Sequence, residues 1–170
     1  MAIKAYLVED HPDIRVTLID GMESVIPVTF VGQASNEHDA LRWLSAHHSE
    51  WDVLIVDLFL GKGAGSGFGV LQGCQQRLPA QKVVVLTSYV DEQLLSYCQF
   101  LGADAVFDKN DQIEMMVTYC LDHEEDLRRQ PPQQGQRTLA ALPLLWPRRK
   151  ALLRAPQALP APHALVPWQR

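Results

Sequence analysis

Two short runs of uninterrupted apolar residues constrain the fold of this chain most strongly. They are Val53–Val56 and Val83–Leu86, and neither alternates apolar with polar side chains. A strand of this kind must be buried on both faces, which is the situation inside a parallel sheet that helices cover on each side. The two runs therefore predict the central strands of a helix-covered parallel sheet.

Strand and helix patterns alternate along the first 127 residues. Strands are predicted at Ile3–Val8, Val28–Val31, Val53–Leu58, Val83–Leu86 and Ala105–Phe107. The helical patterns begin at Pro12, at Ser35 or Asn36, and then run over Phe68–Leu78, Asp91–Leu101 and Asp111–Leu127. Five strands alternating with five helices predict an α/β domain, (βα)5 in element order, built as a doubly wound parallel sheet.

The charge and composition change near Leu127. Residues 1–127 hold 20 acidic and 7 basic residues, a net charge of −13, whereas residues 128–170 hold eight basic residues, no acidic residue and eight of the eleven prolines. We expect a folded domain over 1–127 and a disordered Pro/Arg/Ala-rich tail over 128–170. The tail is open to three interpretations: a basic arm for nucleic acid or membrane, a docking segment for a partner, or an extension translated out of frame.

The cysteine count bears on compartment and cofactor. Cys74, Cys98 and Cys120 form no C-x-x-C pair, which argues against a disulfide scaffold and a zinc site and favours inert core thiols in a reducing compartment. No apolar stretch reaches the ~18 residues of a membrane span, so a cytoplasmic protein without membrane contact is expected. Further packing residues are predicted at Trp43, Trp51, Met115 and Met116.

Polar residues follow four of the predicted strands. Glu9 and Asp10 come after the first strand, Asp57 ends the third, Thr87 follows the fourth and Lys109 follows the fifth. Open parallel sheets place their sites outside the carboxyl ends of the strands, so these side chains are expected to converge. His11 stands beside them at a helix entry and is expected on the surface.

Three converging carboxylates would repel each other unless a cation joined them. Mg²⁺ suits such a set, because it prefers oxygen ligands and is held by one or two carboxylates with a phosphate. Asp57 ends an apolar strand, so its carboxylate could attack phosphorus and form an acyl phosphate. Asp10 and Asp57 would then hold the metal, while Lys109 and Thr87 would supply an ammonium and a hydroxyl.

Four segments together resemble the receiver domain of bacterial two-component response regulators. They are Val-Glu-Asp-His at 8–11, Ile-Val-Asp-Leu at 55–58, Val-Leu-Thr-Ser at 85–88 and Gly-Ala-Asp-Ala-Val-Phe-Asp-Lys at 102–109. The resemblance covers residues 3 to about 127 and implies a single-domain regulator of the chemotaxis-receiver type, or a truncated member whose output domain was lost. It implies the flavodoxin-like strand order 2-1-3-4-5.

The resemblance also implies roles for the residues at the sheet edge. Asp57 would be the phosphoacceptor, Lys109 would bind the phosphoryl group, and Thr87 would swing toward that group after transfer. Mg²⁺ would be held, directly or through water, by Glu9, Asp10, Asp57 and the main-chain carbonyl of Phe59. The added phosphoryl charge would bias the loop after the fourth strand.

The implied function is a phosphorylation-dependent switch rather than an enzyme, with chemistry limited to phosphoryl acceptance and slow self-dephosphorylation at Asp57. The donor would be a histidine kinase or a histidine phosphotransfer protein, and output to an unknown protein would occur by contact. A homodimer is compatible with the family. The acidic folded part argues against direct DNA binding, since phosphate contacts need cations. The alternative is a pseudo-receiver that acts, without phosphorylation, as a protein-interaction module.

The chain departs from the family pattern at two positions, and the alternative is favoured if the tail or the first of these, Val106, has uncoupled the switch. The family often has an aromatic residue three positions before the lysine, whose rotamer couples to the threonine; here this position is Val106, and Tyr89 or Phe107 is a candidate substitute. Asn110 stands where many receivers have a cis-proline, which removes a slow isomerisation step.

Two other functional classes fit the residues poorly. The segment Gly61–Gly69 is glycine-rich, but its lysine precedes most of the glycines, so it does not match a nucleotide-binding P-loop. A phosphatase of the haloacid dehalogenase type would need a second aspartate two residues after Asp57, where this chain has Phe59. A flexible connection beside Asp57 is the expectation for the glycine-rich segment.

Overall fold

The structure is a computed structural model that describes residues 2–129. Its five strands are β1 (Ile3–Val8), β2 (Val28–Ala34), β3 (Val53–Val56), β4 (Lys82–Thr87) and β5 (Ala105–Asp108). Its five helices are α1 (Pro12–Val25), α2 (Glu37–Ala46), α3 (Gly67–Gly73), α4 (Glu92–Phe100) and α5 (Ile113–Arg129). Strand and helix alternate throughout, as the sequence predicts.

The five strands form one sheet in the order β2-β1-β3-β4-β5, and every neighbouring pair is parallel. This confirms the flavodoxin-like order. β1 and β3 are buried along nearly their whole length because helices cover both sides of the sheet. The carboxyl ends of β1, β3, β4 and β5 consequently lie side by side.

Alternate side chains of the strands fill two separate cores. One core lies toward α2, α3 and α4 and includes Val8, Leu54, Val56 and Val85. The other lies toward α1 and α5 and includes Leu7, Ile55, Leu86 and Phe107. The strand period of two residues divides neighbouring positions between these cores.

Local sequence explains several helix starts. Pro12 occupies the first turn of α1, where its missing N–H costs no hydrogen bond. The side chains of Asn36, Ser66 and Asp91 accept hydrogen bonds from backbone N–H groups in the first turns of α2, α3 and α4. Asn36, rather than Ser35, is therefore the residue that caps α2.

Most element ends differ by one or two residues from the sequence prediction, and three differ for a reason that the structure shows. β2 continues three residues further, to Ala34, because its last residues pair with Tyr6, Leu7 and Val8 of β1. The β3 ladder stops at Val56, since the Leu58 carbonyl accepts instead from Gly67 N–H. α3 ends at Gly73 instead of Leu78, and Cys74 N–H turns back to Val70 and Leu71.

The last helix, α5, continues to Arg129, two residues past the predicted boundary at Leu127. The rest of the tail that was predicted to be disordered, residues 130–170, lies outside the residues that the structure describes. Among residues 2–129, no helix combines the length and the apolar composition that crossing a bilayer requires.

The predicted packing residues separate into two groups. All three cysteines are buried thiols, and Trp51 and Met116 are buried as predicted, while Trp43 stacks on Tyr6 with ring centroids 4.0 Å apart. Met115 was predicted wrongly, since its side chain is 59% exposed on α5. Adjacent residues on a helix point about 100° apart, and on α5 Met116 faces the core while Met115 faces outward.

Candidate functional site

The carboxylates of Glu9, Asp10 and Asp57 converge at the carboxyl ends of β1 and β3. One oxygen from each lies within 4.8 Å of the others. Glu9 and Asp57 are buried, and Asp10 is half-buried. The parallel pairing of β1 with β3 causes this convergence, because Val8 pairs with Val56 and the two strands end together.

Both carboxylate oxygens of Asp57 have hydrogen-bond partners. Oδ1 accepts from the Phe59 N–H at 3.2 Å, and Oδ2 accepts from Lys109 Nζ at 2.7 Å. The Asp57 backbone N–H donates to the Val8 carbonyl at 2.9 Å, which ties the residue to β1. Asp57 is therefore held in place while its carboxylate faces the cluster.

Lys109 neutralises part of the charge at this site. Its Nζ lies 2.6 Å from Glu9 Oε2 and 2.7 Å from Asp57 Oδ2, and its backbone N–H donates to the Thr87 carbonyl at 2.9 Å. Burial by itself lowers the pKa of the Lys109 ammonium, but its hydrogen bonds to Asp57 and Glu9 and their charges outweigh burial and raise that pKa above its ordinary value. The side chain is thus a positive charge at neutral pH.

The Thr87 hydroxyl is buried at the end of β4 and has no hydrogen-bond partner within the described part of the chain. A buried hydroxyl without a partner is uncommon, because its desolvation is not offset. Thr87 pairs with Asp108 across β4 and β5, so it belongs to the same strand-end group as Lys109.

Neither Phe107 nor Tyr89, the two candidate aromatic substitutes for Val106, packs in the core that Val106 contacts. Phe107 packs in the core on the α1 and α5 side, whereas Val106 packs against the core on the α2, α3 and α4 side. Thr87 is in register with Asp108 and so shares the Val106 face, which makes Phe107 an unsuitable substitute. Tyr89 is 58% exposed, and its hydroxyl donates to Asp91 Oδ2 at 2.8 Å.

The donor set fits a hard divalent cation. The three converging side chains offer carboxylate oxygens alone, without a thiolate or an imidazole in the group. His11 is exposed and takes part through its backbone N–H, which donates to Glu9 Oε1 at 3.1 Å. Oxygen ligands of this kind suit Mg²⁺ or Ca²⁺ rather than zinc.

Comparison with known protein families identifies the fold and its class. Residues 5–120 match the family described as the response regulator receiver domain. The chain belongs to this family. The match covers the acidic cluster, Thr87 and Lys109, so the sequence resemblance to the receiver domain of two-component response regulators is confirmed.

Individual relatives agree with this assignment. The response regulator protein VraR of Staphylococcus saprophyticus is 28% identical over 105 residues, which cover 62% of this chain and 48% of that protein. The chain therefore spans about half the length of the curated relatives that it matches.

Solved structures share the receiver fold. The signal receiver domain of NarL from Mycobacterium tuberculosis superposes with a TM-score of 0.62 at 19% identity, covering 73% of this chain and 97% of that one. The response regulator domain of CheB from Thermotoga maritima gives 0.61 at 18% identity, covering 77% and 100%. At these identities the likeness concerns the fold alone.

Two contacts near the site were not anticipated from the sequence. Arg15 Nη1 donates to the Glu9 carbonyl at 2.7 Å, from one turn inside α1. Glu37 Oε2 accepts from the Ser66 N–H at 2.8 Å, across 29 residues. The spacing of Arg15 along α1 could have suggested the first contact, but no local pattern signals the second.

Proposed function

We propose that this receiver domain is a phosphorylation-dependent switch in which Asp57 accepts a phosphoryl group. The observation that carries the proposal is the position of the Asp57 carboxylate, which lies at the end of a buried strand, beside two further carboxylates and within hydrogen-bond distance of Lys109. Phosphoryl transfer depends mainly on positioning and charge neutralisation, and this arrangement supplies both.

The transfer itself needs one nucleophile and one donor. An Asp57 carboxylate oxygen forms a bond to phosphorus, while the bond from phosphorus to the donor imidazole nitrogen breaks. The imidazole retains the electron pair and takes up a proton. We propose a histidine kinase or a histidine phosphotransfer protein as the donor, in keeping with the receiver family.

The residues around Asp57 have separate tasks in this proposal. Glu9, Asp10 and Asp57, with the main-chain carbonyl of Phe59, would hold Mg²⁺, and the ion supplies charge neutralisation to the transferring oxygens when it is bound. The Lys109 ammonium would pair with the phosphoryl group. The Thr87 hydroxyl, which has no hydrogen-bond partner among the described residues, would turn toward it.

We place the signalling unit in residues 1–127 and the tail in 128–170, with output by protein contact. The described part of the chain up to 127 is strongly acidic, which favours a protein partner over direct contact with DNA phosphates. The chemistry requires only phosphoryl acceptance and slow hydrolysis at Asp57. Cytoplasmic localisation without membrane contact and the option of a homodimer belong to the same proposal.

Intact-mass measurement tests the proposal. The purified full chain is incubated with acetyl phosphate or phosphoramidate and Mg²⁺, beside Asp57→Ala and the control Asp52→Ala. We expect one labile phosphoryl adduct in the wild type and in Asp52→Ala, and none in Asp57→Ala or in EDTA. A folded wild-type protein that binds Mg²⁺ and yet gains no adduct would contradict the switch.

A pseudo-receiver that acts without phosphorylation is the second candidate. The observation that favours it is the small side chain of Val106 on the Thr87 face, together with the location of Phe107 in the opposite core. A phosphoryl adduct that forms at Asp57 but leaves the amide chemical shifts of α4 and β5 unchanged would support this candidate.

A further inference from the structure

The segment between β3 and α3 lies between two carboxylates. At one end, a Cβ placed on Gly61 would lie 2.7 Å from Asp10 Oδ2, so the Gly61 backbone lies directly against that carboxylate. At the other end, the Glu37 carboxylate occupies the space that a Cβ on Gly65 or Gly69 would need. We call residues 61–66 the glycine loop.

Glu37 contacts the glycine loop at two points. Its backbone N–H donates to the Ala64 carbonyl at 2.7 Å, and its side-chain Oε2 accepts from the Ser66 N–H at 2.8 Å. The Ala64 N–H in turn donates to the Gly61 carbonyl at 2.9 Å, which closes a turn. The connected bonds extend from Glu37 to the residue that lies against Asp10.

The far end of the loop connects to the backbone of Leu58, the residue that follows Asp57. Ser66 caps α3 by accepting from the Phe68 N–H, and the Gly67 N–H donates to the Leu58 carbonyl at 3.0 Å. A loop with glycines at 61, 63 and 65 has many backbone conformations available, and two of these residues adopt positive φ. Such a loop stays in one conformation only if contacts outside it compensate for the lost entropy.

We infer that Glu37 is a positioning residue that holds the glycine loop against the carboxylate cluster, and thereby preorganises the metal and phosphoryl site of the proposed function. The expected effect of Glu37 on metal binding rests on the proposed function. The contact between Glu37 and the loop does not depend on that function. Glu37 does not touch the cluster, and its effect passes through Ala64, Ser66 and Gly61.

Gly69 offers a second, independent way to disturb the same contact. It lies inside α3 without positive φ, where alanine is the better helix former, but its Cβ would overlap the Glu37 carboxylate. Since Glu37 is a flexible side chain, Gly69→Ala displaces it rather than unfolding the helix. Gly69→Ala should therefore reproduce the effect of Glu37→Ala, and the double variant should be no worse than either single one.

The experiment measures two quantities on the full chain. Amide hydrogen exchange of residues 61–66 reports the loop directly, and calorimetric titration with Mg²⁺ reports the site. The variants are Glu37→Ala, Glu37→Gln, Gly69→Ala and the double variant Glu37→Ala with Gly69→Ala. The control is Glu50→Ala, which removes one exposed carboxylate outside the loop.

In Glu37→Ala and Gly69→Ala we expect faster loop exchange and Mg²⁺ affinity weaker by about tenfold, as for residues that orient metal ligands from outside. Glu37→Gln keeps an oxygen acceptor for Ser66 and should remain within about twofold of wild type, because the effect depends on the hydrogen bond and not on long-range charge. Glu50→Ala should match the wild type.

Two results would overturn the inference. Unchanged loop exchange in Glu37→Ala would show that the Glu37 side chain does not hold the loop. Faster exchange with unchanged Mg²⁺ affinity would show that the loop does not organise the site. If the wild-type chain binds no Mg²⁺ and accepts no phosphoryl group, that result contradicts the proposed function. Hydrogen exchange of residues 61–66 then still tests whether Glu37 holds the loop.

Discussion

Lys109 Nζ lies 2.7 Å from Asp57 Oδ2, although 52 residues separate the two in the sequence. Both side chains are nearly buried, with 11% and 9% exposure, and the same ammonium reaches Glu9 Oε2 at 2.6 Å. A buried pair of this kind adds little to stability as a whole, but removing one partner leaves uncompensated charge. The Lys109 ammonium therefore pairs with Glu9 and Asp57, two of the carboxylates that would also coordinate a divalent cation.

Lys109→Met should destabilise the domain strongly only when divalent cations are absent. Its loss leaves Glu9 and Asp57 as adjacent buried carboxylates, and breaking such a pair costs about 3 kcal/mol. Mg²⁺ should restore much of the lost free energy of unfolding, because it neutralises the same oxygens. Denaturant unfolding with EDTA and with Mg²⁺ measures both, with the exposed Lys62→Met as control. An equal loss in both buffers would contradict this prediction.

Thr87→Val should change the free energy of unfolding by less than about 1 kcal/mol. The wild-type hydroxyl is buried without a partner within residues 2–129, so its removal breaks no hydrogen bond there. The Asp57 adduct should still form, while the chemical-shift response of the β4–α4 loop to phosphorylation should be reduced. Denaturant unfolding and NMR of the phosphorylated protein are the measurements. A loss well above 1 kcal/mol would reveal a hydroxyl contact in the folded state.

His123 should make the domain less stable in mild acid. Burial lowers its pKa from the ordinary 6.5, and Lys82 lowers it further, against opposing effects of Asp52, Asp126 and Asp104. The unfolded chain therefore takes up the proton first, so the free energy of unfolding falls as the pH drops through about 6.5 toward the lower folded pKa. The contribution of His123 to the free energy of unfolding is fully present above the pKa that this residue has in the unfolded chain.

The check on His123 is a comparison of unfolding between pH 7.5 and 5. His123→Leu removes the titrating group, and its Nε2 has no partner to lose in the described chain. We expect the variant to lose less stability than the wild type over this range. Parallel curves for the two proteins would show that His123 does not contribute to the pH dependence.

Two glycine substitutions should have opposite effects. A Cβ on Gly67 would overlap the Asp57 carbonyl oxygen and lie 2.7 Å from Leu58 Cα, and backbone atoms cannot move aside as a side chain can. We expect Gly67→Ala to cost about 3 kcal/mol of unfolding free energy, through displacement of α3. Gly21 in α1 has nothing within 4 Å of its would-be Cβ, so Gly21→Ala should add about 1 kcal/mol. A cost at Gly21 equal to that at Gly67 would contradict the steric explanation.

The fold follows from local sequence to a large extent. The continuously apolar runs of β3 and β4 and the helix signals at Pro12 and Asn36 define the alternation that the structure shows. Element ends were less predictable. α3 ends at Gly73, which packs closely against Leu41 of α2, and no local pattern contains this contact.

The juxtaposition of the site residues was predictable as well, because the carboxyl ends of adjacent parallel strands must meet. Glu9, Asp10, Asp57 and Lys109 lie together for this reason. Their chemical roles remain predictions. The suggestion that Phe107 substitutes for an aromatic residue at position 106 does not fit the structure. A shift of one residue along a strand moves the side chain to the opposite face of the sheet, and Phe107 packs in the core on that other face.

The sequence by itself determined the order of elements, the parallel buried sheet and the residue types at its carboxyl edge, because periodicity and strand-end position are local properties. Only the tertiary structure decided that Lys109 bridges Glu9 and Asp57, that the Thr87 hydroxyl has no hydrogen-bond partner among residues 2–129, and that Glu37 accepts a hydrogen bond from the Ser66 N–H. These contacts join residues that are distant in the chain, and their geometry depends on how α2, β4 and β5 pack against the sheet. Packing of that kind is set by the whole set of side chains at once and not by any one segment.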